Sequence, residues 1–520
     1  MKKGEIYEGI IDHVEYPNKG IILMNEEDIL VKNAIPGQKV RFQITKKRSG
    51  RLEGRVLCVL EKSPLETREK QCSIFPECGG CMYQTMPYAS QLAMKEEQIR
   101  RLLFPVLSRY QEDCSWEGIL GSPCEFAYRN KMEFSFGDAV KDGPLTLGLH
   151  KKGSSYDVLT AADCRLVHPD LNQILTCVLS YFTEVSAPYY HKISHVGYLR
   201  HLLLRRGSVT GEILVHLVTT SQEEYPLEPL VEKLLALKLS GSIVGILHLF
   251  NDSPSDTVRS DKTDLLWGRD YFMEKLLGLS FRISTFSFFQ PNSGAAELLY
   301  SKVREYLGDV GGKTVYDLYS GTGTIAQLAA STTTEAGGET GNGSLPSPSG
   351  KTENGPLSSL VSLPGQEAPR EVVGVEIVEE AVMAARENAL RNGITNCRFI
   401  CGDVLHVLDE LTDKPDTIIL DPPRDGIHPK ALPKIIAYGV PNIVYISCKA
   451  TSLVRDLPYF LEAGYTVKKA CCIDQFSQTV HVETVCLLSN RKPDARVKID
   501  VDLEDYYRIK DEQKKNKASE

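Results

Sequence analysis

From residue 315 to residue 488 the chain keeps returning to one pattern: a short, mostly apolar and β-branched run that stops at a polar or glycine-rich turn. The runs are Val315-Tyr-Asp-Leu318, Val372-Val-Gly-Val375, Arg398-Phe-Ile-Cys401, Thr417-Ile-Ile-Leu420, Ile443-Val-Tyr-Ile446 and Thr484 to Leu488. Runs with little in–out alternation suit strands buried on both faces, as in sheets covered by helices. In such open sheets ligands sit beyond the carboxyl ends of the strands, so the residues closing each run face whatever the domain binds. Ile446 is followed by Ser447-Cys448, Leu420 by Asp421-Pro-Pro-Arg424, and His481-Val-Glu483 opens the last run. A thiol, an acid and an Asp-Pro-Pro-Arg turn therefore meet on one rim. A lone cysteine in an apolar run is ordinarily a buried structural residue. The company of Asp421, Arg424 and Glu483 reverses that expectation for Cys448.

The first of these runs ends in Tyr319-Ser-Gly-Thr-Gly-Thr324, a glycine-rich turn before a helix start at Ile325. Glycines there let the backbone approach a nucleoside cofactor at the helix N-terminus, and such a turn also fits a dinucleotide. Glu376 closes the second run, placed to take two ribose hydroxyls, and Asp403 closes the third. Between the first helix and Val372 lies Ser331 to Arg370, where 24 of 40 residues are Ser, Thr, Gly or Pro. That composition buries too little surface to offset ordering entropy, so a disordered surface loop is expected. The charged tail after Arg491 is expected to be a solvated end.

At 520 residues the chain is too long for one core, and its composition is that of a globular protein. No apolar run spans a bilayer, and Met1-Lys-Lys-Gly-Glu5 opens no signal region, which leads to the expectation of a cytoplasmic protein. The net charge of -8 argues mildly against a nucleic-acid partner, although a local basic face is what matters. Short strand-like runs with turns between them, such as Gly20-Ile-Ile-Leu23 and Lys39-Val-Arg-Phe-Gln-Ile44, make residues 1–62 a small β-barrel. Lys46-Lys-Arg48 with Arg51 and Arg55 gives it a basic edge, either a solvated hairpin tip or an RNA contact.

Cys72-x5-Cys78-Gly-Gly-Cys81 supplies three soft ligands, and Cys164 could be a fourth. Thiolates of this kind select zinc or iron–sulfur, and their number alone does not separate the two. Tyr88 to Leu103 reads as an amphipathic helix with Lys95, Glu96 and Glu97 on its polar face. Residues 126–280 read as strand-rich. Arg129, Lys131, Arg200, Arg205 and Arg206 beside the strands suit single-stranded RNA, or are ordinary surface groups.

The N-terminal segment, with its Ala34-Ile-Pro-Gly-Gln-Lys-Val40 phrase, resembles a TRAM domain, an RNA-binding module related to OB-type barrels. The strand–glycine turn–helix–strand–acid order resembles a class I S-adenosylmethionine methyltransferase. Adding Phe288-Phe-Gln290, Asp317-Leu-Tyr-Ser-Gly-Thr-Gly323, Gly374-Val-Glu376, Asp421-Pro-Pro-Arg424, Ser447-Cys448 and His481-Val-Glu483, the chain resembles RNA uridine-5-methyltransferases of the TrmA/RumA type. Within them it looks like the RumA branch, which carries a TRAM domain and an iron–sulfur cluster.

The resemblance implies a multidomain α/β protein: a TRAM/OB-like β-barrel at 1–62, a β-rich central domain with the cluster at 63–280, a Rossmann-like class I methyltransferase domain at 281–490 and a charged tail at 491–520. It implies that Cys72, Cys78, Cys81 and Cys164 hold a 4Fe–4S cluster. By the same resemblance Gln290, Tyr319, Thr324, Glu376, Asp403 and Asp421 bind S-adenosyl-L-methionine, Cys448 is the nucleophile and Glu483 the base. The implied partner is RNA, ribosomal (23S) ahead of transfer RNA, with no obligate protein partner. The chain departs from the family in Lys449-Ala450 after the Ser-Cys, where Asn-Pro is usual; Lys449 is a cation placed to lower the thiol pKa. It departs also in Pro291, in Thr324, and in Ser477-Gln478 after Phe476. Rival readings are an amino-group methyltransferase, a 5-methylcytidine enzyme and an RNA-binding module with a lapsed catalytic domain.

Overall fold

The computed structural model describes residues 1–24, 26–48, 51–110, 114–331, 367–411 and 413–490. Most of the glycine- and serine-rich segment, 332–366, and the whole tail, 491–520, lie outside the described residues. Six strands open the chain: β1 (Ile6–Ile10), β2 (His13–Glu15), β3 (Lys19–Met24), β4 (Glu27–Lys32), β5 (Lys39–Arg48) and β6 (Arg51–Glu61). Their order is β1-β5-β6-β4-β3-β2. The two ends of that order are consecutive pieces of chain: the Ile11 amide donates to Gln38 and the Asp12 amide to Ile21. The sheet thus closes on itself around Ile11, Ile22, Ile29, Val31, Val40, Phe42, Ile44 and Leu52. Its basic edge is partly neutralised, with Lys46 paired to Glu53, Lys47 to Glu27 and Arg51 to Glu15.

After the cysteine-bearing segment comes α1 (Tyr88–Leu107), then β7 (Ser115–Leu120). The sequence pattern puts Lys95 on the solvent face of α1. Instead Gln91, Lys95 and Gln98 are buried, because α1 is enclosed by the barrel and by the loop that precedes Glu483. The central sheet contains β8 (Lys131–Asp138), β9 (Leu145–His150), β10 (Val158–Thr160), β11 (Leu199–Arg206), β12 (Glu212–Thr219), β13 (Ser242–Phe250) and β14 (Lys262–Gly268) in the order β10-β9-β8-β11-β12-β13-β14. Helices α2 (Pro169–Glu184) and α3 (Glu228–Leu235) cover it; α3 carries the chain from β12 to its parallel neighbour β13. Arg200 and Arg205 are not surface cations. Arg200 is buried and donates to the carbonyls of Asn251, Ser253 and Ser255, while Arg205 holds those of Ser284, Thr285 and Ser287.

A hairpin, β15 (Tyr271–Leu276) and β16 (Leu279–Ser284), leads to the last unit. That unit contains α4 (Ser293–Leu307), β17 (Thr314–Leu318), α5 (Thr324–Ala330), β18 (Glu371–Glu376), α6 (Glu379–Arg391), β19 (Cys397–Cys401), α7 (Val404–Glu410), β20 (Thr417–Leu420), α8 (Ala431–Ala437), β21 (Asn442–Ser447), α9 (Ala450–Glu462), β22 (Tyr465–Ile473) and β23 (Glu483–Asn490). The order is β19-β18-β17-β20-β21-β23-β22-β7, with β17 to β21 mutually parallel where they pair and β23 antiparallel to both neighbours. Leu299, Ile325 and Ala385 of α4, α5 and α6 pack on one face, and Val407, Ile435 and Phe460 of α7, α8 and α9 on the other. Residues 63–280 do not gather around one sheet: β7 pairs parallel to β22 as the edge strand of the last sheet. Among the described residues no helix is long and apolar enough to cross a membrane.

Candidate active site

The chain runs β17 to β18 to β19 in one direction across the sheet, then returns to the other side of β17 with β20 and β21. Connections leaving in opposite directions open a crevice at the carboxyl ends of β17 and β20. Strand register sets what stands there. Leu318 is level with Val375 and with Leu420, Leu420 with Tyr445, and Ser447 with Thr484. One step further along lie Tyr319, Glu376 and Asp421; β21 runs on past that level to Ser447 and Cys448, and Asp403 stands just past β19. Because β23 runs the opposite way, its first residue, Glu483, enters beside Cys448.

The glycine turn requires glycine at 323, where φ is +71° and a Cβ would stand 2.5 Å from the Phe399 ring. Each Glu376 carboxylate oxygen accepts one amide, from Gly321 and from Val378, both at 2.9 Å. Both oxygens keep acceptor capacity. Asp403 accepts from Leu405 (2.8 Å) and caps α7. Thr324 opens α5, its hydroxyl 3.4 Å from that of Thr322. Gln290 is buried; Asn130, just ahead of β8, donates to its carbonyl (2.8 Å). With Arg205 gripping residues 284–287, the central sheet fixes the loop that carries Gln290, with Phe289 buried and Phe288 exposed beside it.

The sequence reading missed Asp317, inside β17. Its side chain is 0% exposed with neither oxygen hydrogen-bonded, and burial with the nearby Asp421 and Glu376 raises its pKa well above the usual carboxylate range. Such a group in a strand resembles an interior polar misfit, and only the gathering of three acids at one crevice marks it.

Cys448 is half-buried, and Glu483 is 3% exposed. Burial, then the charges of Glu483 and Asp421, pushes the Cys448 thiol up to about 12, opposed by Arg424. The largest opposing charge is thus Arg424 from the Asp-Pro-Pro-Arg turn, not the Lys449 of the sequence reading. Glu483 is raised to about 8 by burial and Asp421, again opposed by Arg424, and burial raises Asp421 to about 7. Tyr300 of α4 is buried facing Asp421, Glu483, Gln290 and Asp317, its hydroxyl kept protonated by burial and the acids. Tyr16, from the barrel, packs against Ala450 and Val482, near neighbours in the chain of Cys448 and Glu483.

Cys72, Cys78, Cys81 and Cys164 line one cavity with Gly80 and Leu149. The Gly80 amide donates to the Cys78 sulfur (3.3 Å) and the Gln84 side chain to that of Cys72 (3.4 Å). Burial raises Cys81 to about 12 and Cys164 to about 11. Among the described residues no three His, Cys, Asp or Glu side chains stand close enough to hold a metal ion.

Sheet order, glycine turn, the acid after β18 and the reversed β23 define a class I methyltransferase domain. A family model described as tRNA (uracil-5-)-methyltransferase matches residues 360–491. An uncharacterized RNA methyltransferase of Clostridium tetani is 43% identical over 93% of this chain and 98% of its own length. Another from Clostridium acetobutylicum is 43% identical over 94% and 99%. The tRNA (uracil-54, C5)-methyltransferase of Pyrococcus abyssi, solved with S-adenosyl-L-homocysteine, has the same fold over 92% of this chain and 99% of its own, with a TM-score of 0.67 at 24% identity. The chain belongs to the uracil-5 RNA methyltransferase family, whose members depend on S-adenosylmethionine.

Proposed function

We propose that the protein methylates carbon 5 of uridine in RNA through a covalent adduct between Cys448 and carbon 6, with Glu483 as the base. The observation that carries this reading is the arrival of a thiol and a carboxyl side by side, from strands of opposite direction, next to the cofactor crevice. Carbon 5 of uracil is a weak nucleophile. Addition of the Cys448 thiolate at carbon 6 makes carbon 5 electron-rich, splitting one hard step into easier ones. Carbon 5 takes the methyl group as the donor's sulfur–methyl bond breaks, leaving a neutral thioether; Glu483 then removes the carbon 5 proton and the Cys448–carbon 6 bond breaks, releasing the thiolate. Arg424 favours both anions.

Bound S-adenosylmethionine supplies the methyl group on a cationic sulfur. The residues fit that ligand: Asp317, Asp421 and Glu376 make an acidic crevice suited to a cation, Glu376 has capacity for two hydroxyls, and Gln290, Tyr319, Thr324 and Asp403 flank it. A stacked uridine is out of reach of such a site, so the target is looped or flipped out, with the exposed Phe288 ring at hand for stacking. We read the four-cysteine cavity as the seat of a 4Fe–4S cluster. Four sulfurs share one cavity while no three of them stand close enough for a single ion, a spacing that suits a larger cluster. There it would brace the RNA-facing central domain. We assign 23S ribosomal RNA as the substrate, ahead of transfer RNA, on the TRAM and cluster resemblance alone.

Transcripts of 23S ribosomal RNA and of transfer RNA carrying 5-fluorouridine test the chemistry, because the fluorine blocks release. Wild type is expected to form a denaturation-resistant adduct with the ribosomal transcript, and Cys448→Ala none. An adduct that persists in Cys448→Ala defeats the assignment, and trapping of the transfer RNA alone reverses the substrate order.

A further inference from the structure

We propose that Tyr16 of the N-terminal barrel is a positioning residue of the methyltransferase site, its hydroxyl acting on Cys448 and Glu483. The inference rests on the reading of these two residues as nucleophile and base, and extends it to a domain otherwise expected only to bind RNA.

Tyr16 follows β2 at the turn into β3 and is 7% exposed. Its ring does not pack in the barrel core. It lies in a separate apolar cluster with Ile99 of α1, Cys472 of β22, Ala450 and Val482. Ala450 is two residues past Cys448, and Val482 adjoins Glu483. The phenol is thus wedged between the two chain segments that carry the reactive groups. Asn18 locks the wedge: its amide accepts from the Ala34 backbone (2.9 Å), donates to the Tyr83 hydroxyl (2.7 Å), and its backbone N–H reaches the Gln98 side chain (3.3 Å). One turn is therefore held by its own barrel, by the cysteine-bearing segment and by α1.

The titratable and charged groups whose fields reach the phenol are Glu483 of β23, Cys448 after β21 and Arg424 after β20. The phenol has one hydrogen to donate. Burial and the adjacent acid hold that hydrogen in place. A hydrogen bond given to a thiolate or carboxylate favours the charged form that each role needs. Asp421 also faces both reactive groups, from the side opposite the barrel turn in the sheet order.

The test uses the full chain and removes only the hydroxyl. Wild type and Tyr16→Phe are compared for the rate of adduct formation on 5-fluorouridine 23S transcript across the pH range, for RNA affinity and for melting temperature. Tyr16→Phe is expected to form the adduct about tenfold more slowly, as for loss of about one hydrogen bond to a charged group. The midpoint of its pH–rate profile should move upward, with RNA affinity and melting unchanged within about twofold and a few degrees respectively. Identical rates and midpoints in the two proteins overturn the inference. So does a loss of RNA affinity in Tyr16→Phe that accounts for the whole rate change at an unmoved midpoint, because the barrel would then act by binding alone. Failure of wild type to form any adduct with either RNA removes the underlying functional reading, a result distinct from both.

Discussion

Glu483 holds its proton more tightly in the fold than in the unfolded chain, with a value of about 8 against an ordinary one near 4.3. Below about pH 4 both states bind the proton and its contribution is complete. As pH rises towards 8 the unfolded chain has released a proton that the folded chain retains, so stability falls across that window. The buried charge costs up to about 5 kcal/mol by this linkage. Glu483→Gln is therefore expected to gain stability over wild type above pH 8 and little near pH 4, measured by denaturant unfolding. The same substitution should leave adduct formation in place and slow product release about a hundredfold, the usual worth of a general base. In wild type the release step should accelerate as pH rises through about 8, and in Glu483→Gln that dependence should vanish. Release by the variant at the wild-type rate would take the base role from Glu483.

Helix α1 and the loop 474–479 act as a pair. Lys95, 1% exposed, bonds Asp474 at 2.7 Å and the Phe476 carbonyl at 3.1 Å, while Tyr88 donates to the other Asp474 oxygen. The same loop gives the Gln478 carbonyl to Met82 and its side chain to Gln91. This loop leads directly into Glu483, so the helix helps to set where that carboxyl stands. Lys95→Met leaves Asp474 buried without its cation, and a loss of about 3–5 kcal/mol is expected in chemical denaturation. A cost under about 1 kcal/mol would mean that the pair is a surface-like ion pair. The family difference at Ser477-Gln478 also acquires a physical meaning here: Gln478 is buried at φ +67°, its side-chain oxygen accepts from the Gln91 amide and its backbone N–H donates to the Gln91 side-chain oxygen, so the departure falls on the contact with α1.

The molecule is interleaved. The segment before the central sheet contributes β7 to the last sheet, the central sheet grips the Gln290 loop through Arg205 and Asn130, and the barrel packs Tyr16 against Ala450 and Val482. The four cysteines bring the 72–81 segment and the Cys164 loop of the central sheet to one cavity. Protein purified without oxygen is expected to carry four irons and four acid-labile sulfides, as a 4Fe–4S cluster requires. Cys164→Ser should lower that content and loosen protease protection of the 62–87 segment. Stoichiometric zinc without sulfide would replace the cluster by a single-ion site.

Each strand of the last sheet, the turn at Gly321 to Gly323 and the rim residues Cys448, Asp421, Glu376 and Glu483 were legible in the sequence, because a doubly buried strand must be a continuous apolar run and its end must change composition. The barrel runs were legible by their short alternation and turns. Lys95, Arg200 and Arg205 were not, since a charged side chain is buried only if partners far along the chain, at residues 474, 251–255 and 284–287, arrive to bond it. Nor were the burial of Asp317 and Tyr300 beside Asp421, the packing of Tyr16 against Ala450 and Val482, or the place of β7. Local pattern determines what each segment becomes; which distant segments enclose a group, and so what charge it carries, was decided only by the packing of the whole chain.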